Sequence, residues 1–569
     1  MPTLPSPLLP LLVLLLIIIT IANDANAEAG EPWQEPIEVV STAPVPPSPP
    51  AGEWQLLHAN IGVSAMHMQL LPGDFVLMFD RTDTGPSNLS LSALSPCASS
   101  NCTAHSVLLD LRSNALHPYP LATNPWCSSG ALLPNGTLLQ TGGFGADGDR
   151  VARLFTPATG WAELPSFLAA RRWYASDALL PDGRVLVLGG RRQFNFEFFP
   201  HDESPANAAA VTFFPFLEET TEVDAEDNLY PFLHLLPDGT VFVFANDRAV
   251  VFDPYNRAPL RRLPPVPGGV PRNYPSSGSS VLLPFRSDDT SVEVLVCGGA
   301  PRGSYRLALR NGTFLPADRT CARVAPGEPD PAWALEEMPM ARVMGDMVLL
   351  PTGDVLIVNG AGAGTAGWEL GREPVTRPVL YRPGAPLGSR FEALAATSTP
   401  RMYHSAATLD TYGRVLVGGS NPHVGYAFGA NVTFPTDLSL QAFLPPYMDA
   451  RLDAARPRIL AAPAEVGYGE ATAVRFEVLG GVEGEGIGEV RVAAVAPGFA
   501  THSLGMNQRV VELAVGRVAQ LAVGVYEAEV AAPPTPGVAP PGYYLWFVVH
   551  AGVPSSAAWV RVRPLGPAT

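Results

Sequence analysis

The chain has 569 residues and a formal net charge of −17, with only 36 Lys and Arg, which excludes a nucleic-acid backbone as its main partner. Hydrophobic residues make up 47% and charged residues 16%, so the chain can bury a large core in more than one domain. The 53 Gly and 61 Pro suit short strands joined by tight turns rather than long helices.

At the N-terminus, Leu8 to Ala22 is apolar apart from Pro10 and Thr20, and Ala25-Asn26-Ala27 offers small residues for cleavage. The stretch is shorter than the ~20 residues that span a bilayer. It predicts a signal peptide over residues 1–27, and no later segment reads as transmembrane. Residues 28–52 end in Pro44-Val45-Pro46-Pro47-Ser48-Pro49-Pro50-Ala51-Gly52, an extended Pro-rich linker. Sequons at Asn88, Asn101, Asn135, Asn311 and Asn431 fit passage through the secretory route as glycosylation candidates.

From Trp54 the chain repeats one phrase. Leu132-Leu133-Pro134-Asn135-Gly136 leads through an apolar run into Gly142-Gly143, and Leu179-Leu180-Pro181-Asp182-Gly183 leads likewise into Gly189-Gly190. The phrase returns from Leu235 and Leu349, and more loosely from Leu70, Leu282 and Thr408. Each copy reads as two strands joined by a two-residue Asn-Gly or Asp-Gly turn, and the closing Gly pair lets the backbone approach a neighbour. Seven copies at kelch-like spacing predict a seven-bladed, kelch-like β-propeller over residues 53–450. A sandwich array is the competing arrangement. Residues 451–569 lack the phrase, and strands such as Ala473–Val478 and Tyr543–Val549 predict an immunoglobulin-like β-sandwich. The fold class is all-β.

The five cysteines allow fifteen ways of forming two bridges and leaving one residue out. Cys97 with Cys102, and Cys297 with Cys321, read as natural disulfides, which leaves Cys127 unpaired in an oxidising compartment. Cys127 lies just before a blade hairpin. Arg171-Arg172-Trp173-Tyr174 and Arg401-Met402-Tyr403-His404 hold the equivalent position in two other blades. Neighbouring Tyr and His side chains point to opposite faces of a regular strand, so joint action requires a twisted or bulged entry. Thr501-His502-Ser503 lies on a loop of the C-terminal domain. Two imidazoles with two phenols suit Cu(II). Taken singly, Cys127 reads as a buried apolar thiol, the Trp-Tyr and Tyr-His pairs as packing, and most of the ten histidines as ordinary.

The order Trp126-Cys127-Ser128-Ser129-Gly130, Arg172-Trp173-Tyr174-Ala175, Arg401-Met402-Tyr403-His404-Ser405 and Thr501-His502-Ser503, with Asn507-Gln508-Arg509 beyond, resembles the copper radical oxidases. It is closest in kind to the plant and fungal glyoxal oxidases, relatives of galactose oxidase. Further stretches carry the resemblance, among them Asp227-Asn228-Leu229-Tyr230-Pro231 and Pro271-Arg272-Asn273-Tyr274-Pro275. It implies one copper ion held by Tyr174, Tyr403, His404 and His502. It also implies a thioether from Cys127 to the Tyr174 ring, a radical stored on that ring, and Tyr403 as the base. The implied reaction oxidises small aldehydes such as glyoxal or methylglyoxal to carboxylic acids while O2 becomes H2O2. The expected protein is a secreted monomer, extracellular or associated with the cell wall, with no nucleic-acid partner and no membrane span. A primary-alcohol or galactose-type oxidase on the same site, or a non-catalytic glycan-binding propeller, are the alternatives. One departure stands out. Galactose oxidase stacks a tryptophan, eighteen residues after its cross-linked tyrosine, over the thioether, and the residue at that spacing from Tyr174 is Arg192. Trp126 and Trp173 are the candidates to shield the ring instead.

Overall fold

The computed structural model describes residues 51–91, 103–201, 211–223, 225–479 and 487–566. The leader, most of the linker, Cys97, Cys102 and Asn101 lie outside them. Among the described residues no helix is long and apolar enough to cross a membrane.

Seven four-stranded antiparallel blades make up the propeller. Their innermost strands are His67–Leu71, Ser129–Leu132, Ala175–Leu179, Phe232–Leu235, Ser279–Leu282, Asp346–Leu349 and Ser405–Leu409. Every copy of the sequence phrase therefore begins on, or at the end of, the innermost strand of one blade. The outermost strand of the seventh blade comes from the other end of the propeller sequence: Glu53–His58 pairs antiparallel with Leu440–Leu444 and closes the ring. Most inner-strand residues are fully buried, because each blade covers its faces with its two neighbours.

The hairpins differ from the two-residue turns expected. Gly136 N donates to Leu133 O at 2.8 Å and Leu133 N to Thr137 O at 2.9 Å, which encloses Pro134, Asn135 and Gly136 in a three-residue loop. Only Gly136 has positive φ, at 85°. A mirror-image turn would need positive φ at both central positions, which the ring of Pro134 forbids; a normal turn followed by a left-handed Gly satisfies both residues.

The Gly pairs act as expected, but a buried arginine completes each junction. A Cβ on Gly419 would meet the His404 carbonyl at 2.4 Å. Arg401 donates from Nη1 to Gly419 O at 2.6 Å and pairs with Asp437 at 2.8 Å. Arg172 likewise bonds Gly189 O at 2.7 Å and pairs with Glu197 at 2.8 Å, both charges buried. Cys297 and Cys321 face each other in register on adjacent strands of the fifth blade and form the predicted disulfide.

The C-terminal domain has two sheets, one built around Val490–Ala496 and Gly542–His550, the other around Ala471–Glu477 and Val525–Ala531. A hairpin of Phe499–Thr501 and Leu504–Met506 leaves this domain and adds to the inner edge of the first blade, Thr501 opposite His67. His502 is at its tip. The following residues tie it to the propeller: Asn507 accepts from Leu179 N at 2.7 Å, Gln508 donates to Met347 O at 2.8 Å, and Arg509 bonds Leu235 O.

Several acids are buried on the inner strands. Burial raises Asp346 to about 7, and only its Oδ2 finds a partner, Asn359 at 2.7 Å. A carboxyl with a raised folded value contributes stability at low pH that is lost as pH rises toward that value. Wild type should therefore lose stability relative to Asp346→Asn between pH 4 and pH 8, by up to about 4 kcal/mol. Denaturant unfolding of both proteins at the two pH values measures this, and parallel pH curves would refute it.

Candidate metal centre

Six blades enter their innermost strand through a residue with positive φ: Cys127 (53°), Tyr174 (64°), Tyr230 (52°), Ser277 (35°), Met344 (61°) and His404 (63°). The reversal turns the chain just before the strand begins, so the side chain there faces the axis instead of a blade surface. Main-chain bonds join successive entries: Tyr174 N donates to Cys127 O at 2.9 Å and Tyr230 N to Tyr174 O at 3.0 Å. This is the irregular entry that joint use of Tyr403 and His404 requires. Their rings stack with centroids 3.9 Å apart.

His502 meets these residues from the hairpin tip, itself at a positive φ of 44°. Its ring centroid lies 4.9 Å from that of His404, 5.8 Å from Tyr403 and 6.2 Å from Tyr174. Its Nδ1 contacts Thr501 Oγ1 at 2.7 Å, which leaves Nε2 facing Cys127 Sγ at 3.1 Å. One ligand atom each from Cys127, His404 and His502 falls within 4.8 Å of the others. The structure thus brings together all five residues singled out in the sequence, Cys127, Tyr174, Tyr403, His404 and His502, and all five are buried.

Two residues join them that the repeat did not single out. Tyr274, in the loop leading to the fifth blade, stacks on Tyr174 at 4.5 Å and 27°. Its hydroxyl accepts from Tyr174 OH at 3.2 Å and lies 3.0 Å from Tyr403 OH, so one phenol bridges two others. Tyr230 packs on His502 with centroids 5.1 Å apart and donates to Ser128 O at 2.9 Å. Tyr230 holds the same position in its blade as Tyr174, and that alignment was the available signal. Tyr274 precedes its blade's entry by three residues and so has no place in the repeat; its signal was the resemblance carried by Pro271-Arg272-Asn273-Tyr274-Pro275.

Both ring nitrogens of His404 are buried and lack a hydrogen-bond partner among the described residues. Buried polar groups are nearly always satisfied, so this imidazole fits a ligand to a metal ion. Burial, with the facing His502 imidazole second, holds His404 well below the usual histidine range, and burial does the same to His502. Both rings are therefore neutral and able to donate. Burial pushes the Tyr174 and Tyr403 phenols well up, with the neighbouring thiol and phenols adding to the effect. The Cys127 thiol is likewise raised by burial, partly offset by its contact with Tyr174. Every donor is uncharged without a cation, and binding one would release phenolic protons.

A cavity of about 400 Å³ opens above the cluster, lined in part by Trp173, Tyr174, Tyr274, Tyr403, Arg192 and Trp368. The helix Ser304–Asn311, unforeseen in the sequence, contributes Tyr305 and Leu309 to the wall. Arg192 does not cover Tyr174: its side chain is 80% exposed and sits 3.9 Å from Glu226. Tyr274 and Trp173 flank the Tyr174 ring, with the Trp173 centroid at 4.7 Å, and Trp126 packs behind Trp173 at 5.1 Å.

The glyoxal oxidase N-terminus family profile matches residues 66–447, and the galactose oxidase-like early set domain matches residues 456–562. An aldehyde oxidase named GLOX from Vitis pseudoreticulata is 42% identical over 526 residues, 90% of this chain and 97% of that protein. Aldehyde oxidase GLOX1 of Arabidopsis thaliana is 42% identical over 90% of this chain and 84% of its own length. Among solved structures, a fungal alcohol oxidase of the AA5 family in complex with copper superposes with a TM-score of 0.69 over 90% of this chain and 100% of its own, at 18% identity. Fold, ordered domains and full-length similarity agree, and the chain belongs to the glyoxal oxidase family.

Proposed function

We propose that this chain is a secreted copper radical oxidase that converts small aldehydes, as their hydrates, to carboxylic acids while O2 is reduced to H2O2. The observation that carries the reading is the buried convergence of Tyr174, Tyr403, His404 and His502 beside Cys127, under a cavity sized for a small molecule. The names of the two plant relatives support an aldehyde as the substrate class. In this reading residues 1–27 are the signal peptide, 28–52 the linker, 53–450 the propeller and 451–569 the C-terminal sandwich. The enzyme acts as a monomer outside the cell or in its wall. Asn88, Asn135, Asn311 and Asn431, all exposed, are the glycan acceptors within the described residues.

The two imidazoles and two phenols would hold the copper, a donor set that suits Cu(II). Bound copper would supply one-electron redox chemistry and make the phenols that bind it stronger acids. Because a single ion exchanges one electron, the two-electron oxidation needs a second store, which the Tyr174 ring provides. Cys127 would join that ring: a carbon–sulfur bond replaces the S–H and one ring C–H, and two hydrogens leave to an oxidant such as O2. Sulfur substitution makes the ring easier to oxidise. Tyr403 takes the substrate proton, and Tyr274 fixes the spacing of the two phenolic oxygens it bridges. The hydrate RCH(OH)2 gives up two electrons and two protons to become RCOOH, and O2 takes both up. Cys127 as a thiolate ligand beside the two histidines is the competing arrangement, and the cross-link excludes it.

Copper-loaded protein should release peroxide with glyoxal or methylglyoxal faster than with galactose or simple primary alcohols. Tyr174→Phe should abolish release. Peptide mapping should find Cys127 and Tyr174 in one adduct, two hydrogens lighter than the separate peptides. A wild type that stays silent across aldehydes and alcohols after oxidative activation, or a Cys127 that alkylates freely once unfolded, refutes the reading.

Tyr274→Phe keeps the ring stack and removes the bridging hydroxyl. A hydrogen bond to a charged group is worth about 1.5–3 kcal/mol, so kcat should fall roughly ten-fold or more with KM nearly constant. An unchanged kcat would remove Tyr274 from the positioning of the phenols.

A further inference from the structure

The Tyr174 ring is the first member of a continuous aromatic series. Trp173 lies 4.7 Å from it, Trp126 lies 5.1 Å from Trp173, and Trp368 stacks on Trp126 at 5.1 Å and 14°. Trp173 and Trp368 are only partly buried, so the series leads from the buried cluster toward solvent at the cavity. Electron transfer between rings at such separations is fast, and indole is the most easily oxidised side chain available besides a phenol. An oxidising equivalent held on Tyr174 therefore has a route out of the protein.

Two charges stand along that route: Arg191, half exposed and paired with Glu226, has its guanidinium carbon 5.2 Å from the Trp173 centroid, and a buried arginine covers the two indoles beyond it. Arg81 is 3% exposed, and its guanidinium carbon lies 4.1 Å from the Trp126 centroid and 4.9 Å from that of Trp368. Its Nη1 donates to Val424 O at 3.0 Å, and its Nε pairs at 2.5 Å with Asp83, whose side chain is 41% exposed. The paired counter-charge is thus shared with solvent, and the second nearby acid, the buried Asp80, is raised to about 7 by burial and is bonded to Tyr426 and to the Arg81 main chain, while the guanidinium rests on the two indoles. A cation stabilises a neutral indole face and repels the radical cation that oxidation would make of it. The Nε1 groups of Trp126 and Trp368 are both buried without a partner among the described residues, so no protein acceptor is in place to take the proton an oxidised indole sheds.

We propose that Arg81 confines the oxidising equivalent to Tyr174 by raising the potential of the Trp126–Trp368 stack; this rests on the reading of Tyr174 as the radical store. If the confinement fails, one electron passes from the stack to Tyr174, which returns to its reduced state. The oxidised indole loses its proton slowly, gives a second electron to the excess ferricyanide of the assay and adds water, so that two electrons and two protons leave and the tryptophan ends one oxygen heavier. Arg81 is outside the residues lining the cavity and is a guarding residue, not a catalytic one.

The test uses copper-loaded protein oxidised with ferricyanide and held without substrate. The decay of the radical's optical absorption is followed, and tryptophan peptides are then mapped for oxygen adducts. Arg81→Met should shorten the radical half-life by about ten-fold or more, since a unit charge near 4 Å outweighs that factor even at an effective dielectric constant of 20. Adducts should appear at Trp126 and Trp368. Arg81→Lys should decay close to the wild-type rate, and Arg81→Met with Trp126→Phe should regain most of the lost lifetime, which a merely structural defect would not do. Decay of Arg81→Met at the wild-type rate overturns the proposal. So does fast decay that Trp126→Phe fails to slow or that leaves no adduct. A wild type that oxidises with no tyrosine-centred radical refutes the reading of Tyr174, and this proposal falls with it.

Discussion

A reversal of the backbone at the mouth of six of the seven inner strands decides what reaches the axis of this propeller. A strand residue in ordinary extended geometry points into the space between blades, where the core is. A residue held at positive φ one or two positions earlier points elsewhere, and such a conformation is unfavourable for a side chain other than Gly unless the surroundings enforce it. Here the enforcement is visible. The carbonyl of His404 packs against Gly419, Arg401 grips the same glycine, and main-chain bonds pass from Cys127 to Tyr174 to Tyr230. Cys127, Tyr174 and His404 are consequently set by the blades themselves, without relying on each other's side chains.

That arrangement explains which parts of the centre were legible in the sequence. Cys127, Tyr174 and His404 occupy one position of a repeated phrase, so the period of the blades revealed that they converge. The turn type was misjudged because Asn-Gly was weighed without the proline before it, and Pro134 selects the longer loop. The arginine clamps left only single letters, since their partners are carbonyls of residues seventeen or eighteen positions away. Tyr274 and the helix Ser304–Asn311 belong to connections between strands, which follow no period at all. The repeat therefore exposed what the blades position and concealed what the loops add.

The acidity of the cluster follows from the same enclosure. Three phenols, a thiol and two imidazoles share one space, and burial drives every one toward its neutral form. Such a cluster is stable as a hydrogen-bonded set, as the Tyr174–Tyr274–Tyr403 sequence of hydroxyls shows, except at His404, which has no hydrogen-bond partner among the described residues. A cation reverses the preference. It favours the deprotonated phenols and uses the idle imidazole, so the group that is least satisfied in the protein alone is the one with most to gain from binding.

His502 separates this centre from a purely propeller-borne one. It is carried by the C-terminal domain on a hairpin that becomes part of the first blade, and it is fixed by residues that reach several blades: Asn507 to the third, Gln508 to the sixth, Arg509 to the fourth. The propeller alone can assemble Cys127, Tyr174, Tyr403 and His404, yet the set lacks its second imidazole until the hairpin is seated. Completion of the centre is thereby coupled to the docking of the two domains, and a metal ion bound across them would hold that docking closed.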